Sequence, residues 1–300
     1  MEGDNQRMGA GPAAYRPYKD VHIYLLEGVV AKEDEPMLGE DFLGNWVEDS
    51  SSFLFFSVPS REKVDALLRT RRDLRFIEEH CFTYEEWQGS KLQTVKIHNF
   101  LVVAPWERAE PEEGEQIIML DPGVVFGTGI HPTTRDCVSA LAHVFNQTPI
   151  SKVLDFGTGS GILALAAAFL GADRVLAVDL NPLAVKTAQK NVTLNHLENV
   201  IKVAEGNVMA FAEEPADLVM SNIHHEVMAK LIGTAGFRNN AWLILSGLMR
   251  SQVRDIKTRL ERHGLRIMRE WDHEGTWYTL LVRGALPNEV TGKGYSILDT

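Results

Sequence analysis

The sequence predicts an α/β protein: a mostly parallel sheet ending in an antiparallel edge hairpin, preceded by a smaller α+β module. Three observations predict it. From Ser151 onward, short apolar runs alternate with helical patterns, as in a parallel sheet covered on both faces. Within that part, Val153-Leu-Asp-Phe-Gly-Thr-Gly-Ser-Gly161 carries an apolar strand through a glycine turn into an apolar helix. A second strand, Arg174-Val-Leu-Ala-Val-Asp179, ends in an acid 24 residues past Asp155. Finally, Leu265 to Trp271 and Thr276 to Val282 flank Asp272-His-Glu-Gly275 and read as a hairpin.

Taken in order, residues 1–14 are polar and Gly-rich, with no apolar core of signal-peptide type, and are expected to be a flexible tail. Residues 15–91 form the expected N-terminal domain. In it, 21–26 and 53–58 read as strands, and Pro59-Ser60 opens a helix with Ser60 as N-cap and Leu67 and Leu68 on its apolar face. Trp87 and Trp106 are expected to pack between domains. The second domain is expected over 92–285. Leu92 to Val103 alternates as a strand or hairpin, and 107–115 reads as an acidic turn or exposed loop. Ile117 to Thr134, with three glycines, two prolines and few charges, is expected to be an ordered loop. A helix follows from about Thr133 to Phe145.

Strands are then expected near 152–156, 174–179, 200–203, 217–221 and 241–246, with helices near 161–170, 182–195, 224–232 and 250–263. Gly171 suits the position just past the first of these helices. Asn181-Pro182 supplies an N-cap and a first-turn proline to the second. A polar tail is expected over 286–300.

Composition narrows the partners. The chain is 45% hydrophobic, yet no apolar run approaches the length of a membrane helix. Two cysteines and ten histidines without ligand spacing give no disulfide framework and no metal site, so a reducing, cytoplasmic setting is expected. A formal charge of −11 disfavours direct nucleic-acid readout and favours a basic partner.

The glycines narrow the ligand. Gly157, Gly159 and Gly161 give G-x-G-x-G, and Ile162 stands where a dinucleotide fingerprint needs its last glycine. There is also no P-loop lysine, so a ligand without phosphates fits better. S-adenosylmethionine (SAM) is such a ligand, with Asp179 placed to accept its ribose hydroxyls. The alternative is a plain strand–helix turn with Asp179 as a surface acid. Asn222, ending the run from Asp217, would face the crevice at the strand ends near the reactive group; the competing role is a helix N-cap. His131, Thr133 and Thr134 sit just before the sheet's first strand and read either as a threonine N-cap of the helix beginning there or as a lid over the cofactor's methionyl end. His224 and His225 are either surface histidines or a base for an amine nucleophile.

These residues carry a resemblance. The run Asp121-Pro-Gly-Val-Val-Phe-Gly-Thr-Gly-Ile-His-Pro-Thr-Thr134, the glycine turn, Asp179 and Ser221-Asn-Ile223 together resemble the bacterial ribosomal protein L11 methyltransferases over roughly 92 to 284. The resemblance implies a class I SAM-dependent methyltransferase with a Rossmann-like sheet and a separate substrate-recruiting N-terminal domain. It also implies methylation of lysine side chains and an N-terminal amine on a ribosomal protein. Carried over by position, Thr134, Gly157, Gly159, Asp179 and Asn222 would bind SAM, and Asn222 would also border the acceptor amine as the catalytic residue. His224-His225 departs from the apolar or small residues usual in that family. A relative acting on another protein or a small molecule, and a SAM-binding regulator without turnover, are the alternative functions.

Overall fold

A computed structural model describes residues 19–48, 50–88 and 93–284. The expected tails, and the expected boundary at 91/92, fall outside these residues.

The first sheet is antiparallel and four-stranded. Its strands are β1 (Asp20–Glu27), β2 (Phe42–Glu48), β3 (Ser51–Phe56) and β4 (Arg75–Thr83), in the order β2-β3-β1-β4. Alternation along each strand sends Tyr24, Leu26, Leu54 and Phe56 to one face, where Val64 and Leu67 of α1 (Arg61–Thr70) cover them. Ser60 does occupy the N-cap position of α1, but its hydroxyl makes no capping bond; it donates to the Val58 carbonyl at 3.1 Å. The opposite face, with Val21, Ile23 and Phe55, meets Tyr84 of the short helix α2 (Tyr84–Trp87) and Val124 and Leu183 of the second domain. Trp87 and Trp106 join that cluster, as expected of packing residues. The indole N–H of Trp87 donates to the Val124 carbonyl at 3.2 Å.

A three-stranded sheet leads into the second domain: β5 (Val95–Ile97), β6 (Phe100–Val103) and β7 (Gln116–Met119). The first two form the expected hairpin. The third corrects the expectation of a loop from Ile117, because it pairs parallel to β6. Asn195, from a later helix, holds the Met119 N–H at 2.9 Å and its carbonyl at 2.7 Å.

After α3 (Pro132–Phe145), the large sheet is built from β8 (Lys152–Phe156), β9 (Arg174–Asp179), β10 (Ile201–Glu205), β11 (Leu218–Asn222), β12 (Trp242–Met249), β13 (Arg266–His273) and β14 (Trp277–Arg283). Its order is β10-β9-β8-β11-β12-β14-β13. The first five strands run parallel, and β14 inserts antiparallel between β12 and β13. The hairpin therefore places its second strand inside the sheet and its first at the edge. Helices α4 (Ile162–Phe169) and α5 (Pro182–Leu194) follow β8 and β9. Helices α6 (His225–Gly233) and α7 (Ala235–Asn239) follow β11, and α8 (Arg250–Arg262) follows β12. One face of the sheet is covered by Leu141, Val144 and Leu165, the other by Leu231, Ile256 and Leu260.

Two local expectations explain the sharp turns. Asn181 Oδ1 accepts from the Leu183 N–H at 2.9 Å, capping α5 ahead of Pro182. Past α4, Gly171 (φ 107°) allows its own N–H to reach Ala168 O and that of Ala172 to reach Ala167 O, which closes the helix end. The strand order reverses between β8 and β11, so a crevice opens at their carboxyl ends.

Candidate active site

The glycine turn sits at that crevice. Its first N–H groups are already committed: Gly157 and Thr158 donate to Val178 O at 2.8 and 3.1 Å, and Gly159 donates to Asp179 Oδ2 at 2.9 Å. The backbone at Gly159 has φ 55°, and a Cβ there would stand 2.6 Å from the Phe126 carbonyl oxygen. At Gly157 a Cβ would collide with the Ile223 side chain. The glycines therefore have a reason beyond access for a ligand: two other segments lie against them.

One of those segments is the loop between β7 and α3. Ser160 N–H donates to Phe126 O at 3.0 Å, and its hydroxyl donates to Gly127 O at 2.6 Å. Asn191, fully buried on α5, fastens the same loop. Its Oδ1 accepts from the Asp121 N–H at 2.9 Å, while Nδ2 donates to Asp121 O at 2.9 Å and Ser160 O at 2.8 Å. The Asp121 carboxylate takes Lys190 at 2.7 Å, the Gly123 N–H at 3.0 Å and the Tyr84 hydroxyl at 3.3 Å, the last reaching across from α2. Sequence reasoning missed Asn191 and Lys190. Both lie within an ordinary amphipathic helix, and only the fold brings them under the loop.

Asp179 ends β9 at the lip of the crevice. Besides Gly159, the Asn181 N–H donates to it, at 3.0 Å to Oδ1. Burial raises its pKa, and the backbone bonds from Asn181, Gly159 and Leu180 oppose the rise. A carboxylate has about four lone-pair sites, so it keeps acceptor capacity for a ligand's hydroxyls. Beside it Leu180 is 68% exposed, and Phe126 on the overlying loop is 57% exposed. Deeper in, burial pushes the Asp155 carboxyl up to about 7, against a 2.6 Å hydrogen bond from the Thr158 hydroxyl. This carboxyl is a buried strut of the turn.

Asn222 ends β11. The N-cap alternative fails there, because α6 starts three residues later with His224 at its cap. Its Nδ2 lies 3.4 Å from Thr133 Oγ1 in the first turn of α3. Its Oδ1 is directed at Gly247, where a Cβ would come within 2.7 Å; Gly247 lies in the register break of β12. His131, not a threonine, caps α3: Nδ1 lies 3.4 Å from the Thr133 N–H and 2.7 Å from the Thr133 hydroxyl. Burial, then the nearby His273, lower the His131 pKa and disfavour the charged ring. Thr134 is different. Its hydroxyl is buried and has no hydrogen-bond partner among the described residues, and the same holds for that of Ser221, one residue before Asn222.

The structure thus joins Thr133 at the helix start to Asn222, and the loop to the glycine turn and Asp179. It does not bring His225 in: its Nε2 bonds Asp255 Oδ2 on α8 at 2.8 Å, and His224 is exposed at the head of α6. No cluster of potential metal ligands occurs among the described residues. The donor set suits a nucleoside-bearing ligand without phosphates. It offers a carboxylate with spare acceptor sites and a buried hydroxyl that a ligand's polar group would complete. It also offers exposed apolar side chains, and among the described residues no lysine or arginine is bonded to the turn.

Comparison with known proteins places the same residues in context. The family model described as ribosomal protein L11 methyltransferase (PrmA) matches residues 69–284. The chain is 34% identical over 264 residues to the ribosomal protein L11 methyltransferase of Anoxybacillus flavithermus, covering 83% of this chain and 80% of that one. It is 38% identical over 199 residues to that of Geobacillus kaustophilus, covering 62% of this chain and 63% of that one. The match thus spans just under two thirds of the Geobacillus relative. Among solved structures, the ribosomal protein L11 methylase of Lactobacillus delbrueckii subsp. bulgaricus superposes with a TM-score of 0.55 at 30% identity, over 62% of this chain and 95% of that one.

Proposed function

The chain belongs to the ribosomal protein L11 methyltransferase family, and from that premise we propose that it is a SAM-dependent N-methyltransferase. Its substrate is a ribosomal protein, ribosomal protein L11 first among them, methylated on lysine side chains, an N-terminal amine, or both. One observation supports the reading above the others: Asn222, at the end of β11, meets Thr133 at the start of α3. That contact gathers two distant sequence motifs at one crevice.

When bound, SAM supplies a methyl group on a sulfonium, with a neutral thioether as leaving group. The rest is done by this chain. Asp179 would hold the ribose hydroxyls with the acceptor sites its backbone bonds leave over. The backbone of Gly157 and Gly159 would border the methionyl end, and Thr134 would give its unpartnered hydroxyl to it. Asn222 would orient the acceptor amine by accepting an N–H at Oδ1, with its own Nδ2 held toward Thr133. Attack needs the amine lone pair in line with the methyl at about 3 Å, so this positioning sets the rate. The Phe126–Gly127 segment, bonded to Ser160, would exclude water from that end. Burial of the neighbouring His131 disfavours its charged form, which lessens repulsion of a cationic substrate. The setting of such a reaction is the cytoplasm. Among the described residues no helix is long and apolar enough to cross a membrane.

The test is transfer of tritiated methyl from SAM to the ribosomal proteins of the source organism, resolved on a gel. A single labelled band at the size of ribosomal protein L11, absent with Asp179→Ala, is the expected result. SAM binding without any labelled protein would refute the ribosomal substrate. An amine acceptor also predicts a rate that climbs with pH through the acceptor's pKa while SAM affinity stays level.

A further inference from the structure

The face of the small sheet that meets the second domain is only partly covered by it. Val21, Ile23 and Phe55 pack against Val124 and Leu183. Beside that contact a cavity of about 200 Å³ opens. Its walls are Trp46, Phe53, Phe55, Phe82 and Trp87, and its acid is Glu48. The rings stand at angles to one another, as the sides of a box do. Trp46 and Phe53 are directly opposed across β2 and β3. Trp87 meets Phe55 edge-on at 5.4 Å and Phe82 at 6.0 Å with the planes tilted by 50°. Trp46 keeps 40% of its surface open to solvent.

We propose that this box binds a methylated ammonium group, that of a methylated lysine or methylated N-terminal amine on the basic protein the crevice modifies. The proposal rests on the amine-methyltransferase reading above. Its own support is the chemistry of the walls. Ring faces carry negative quadrupole potential, and a cation within about 6 Å of a ring centroid is attracted to them, most strongly by tryptophan. Methylation removes N–H donors and weakens hydration, so a methylated head prefers aromatic walls more than a bare ammonium does. Glu48 adds a full negative charge. Among the described residues the lining holds one histidine, His80, which stacks on Phe82 and lies 3.1 Å from Glu78. The cavity is smaller than the roughly 300 Å³ at which drug-sized sites begin, so it suits the head of one side chain. The chain's net charge of −11 favours a cationic partner at longer range.

Such a box would act on products. An enzyme that methylates more than one amine of the same protein gains if a finished amine holds that protein nearby. The next amine then meets the crevice at a raised effective concentration.

The experiment is calorimetric titration of the full-length protein with three blocked amino acids. They are N-acetyl trimethyllysine methylamide, its lysine parent, and an uncharged isostere carrying a tert-butyl head. Saturable binding of the trimethylated compound, at least tenfold tighter than either control, is expected. Trp46→Ala, at an exposed position, should weaken it at least tenfold, and Glu48→Gln several-fold, with melting temperatures unchanged. Equal binding of the isostere, equal binding of unmodified lysine, or no saturable binding overturns the proposal. So does undiminished binding by both variants. The tritium assay is read separately. Labelled product without probe binding refutes only the box, and probe binding without labelled product refutes only the function proposed for the crevice.

Discussion

The carboxyl end of the large sheet and the uncovered part of the small sheet's domain-facing side fail to close in opposite ways. At the first, Thr134 and Ser221 bury hydroxyls that find no partner among the described residues. At the second, Trp46 and its neighbours leave aromatic carbon uncovered. A buried unpaired hydroxyl costs about 1–3 kcal/mol, and exposed aromatic surface forgoes about 25 cal/mol per Å² of possible burial. The two costs ask for different visitors. The crevice suits a ligand that brings hydrogen-bonding groups, and the box suits one that brings a poorly hydrated cation. The lesson is that the kind of unmet demand, polar or apolar, is itself a guide to ligand chemistry.

Four substitutions sharpen or break this contrast on the crevice side. Asp179→Ala should have the largest effect. It removes hydrogen bonds to a charged acceptor worth about 1.5–3 kcal/mol each, so SAM affinity should fall at least ~100-fold by calorimetry. The freed Gly159 and Asn181 N–H groups add about 1–3 kcal/mol of instability in a denaturant melt. Unchanged SAM affinity would remove the crevice from the comparison. Asn222→Ala comes next. Methyl transfer should drop about 100-fold through misplacement of the amine, with SAM affinity falling less than about tenfold; equal losses in both would make Asn222 a cofactor residue only.

Thr134→Val is the most direct probe of the unmet polar demand. Valine keeps the shape and removes the orphaned hydroxyl, so stability should stay level or rise. SAM affinity should fall about tenfold, the worth of one hydrogen bond. A destabilised protein would show that the hydroxyl already has a partner. Asp155→Asn is the smallest and acts through pH. The native carboxyl titrates at about 7, while a free one titrates near 4. The folded state therefore holds the extra proton between those values, and wild-type stability should decline as pH rises from about 4 to about 7, then level off. The asparagine variant should lack that decline in melts across the range, and a parallel decline would reject the buried neutral carboxyl.

Much of the large sheet was legible because local chemistry there coincides with the global fold. Asn181-Pro182 and Gly171 act within a few residues of themselves, and their signals survive in any context. The resemblance carried the site further than periodicity did. The turn, Asp179 and Asn222 stand at one crevice, and the capping alternative for Asn222 fails on where α6 begins. What escaped was non-local. Strand β2 exposes Trp46 and Val47 and is interrupted by Gly44, so it lacks a clean alternation. Strand β7 is held by Asn195, 76 residues away from Met119. Gly247 is explained by its φ of 78° and by the Asn222 amide that faces it from the next strand, neither of which the sequence shows.

Gly44 has one more partner. A Cβ there would run into the side chain of Leu183, which sits in the first turn of α5 right behind the Asn181 cap. The small sheet therefore meets the second domain as a socket meets a stud, through Gly44 and Leu183. Anyone grafting this front module onto another α/β domain would have to transplant the stud as well. A recipient helix with a bulkier first turn, or a donor strand with alanine in place of Gly44, would leave the graft joined in sequence but unseated.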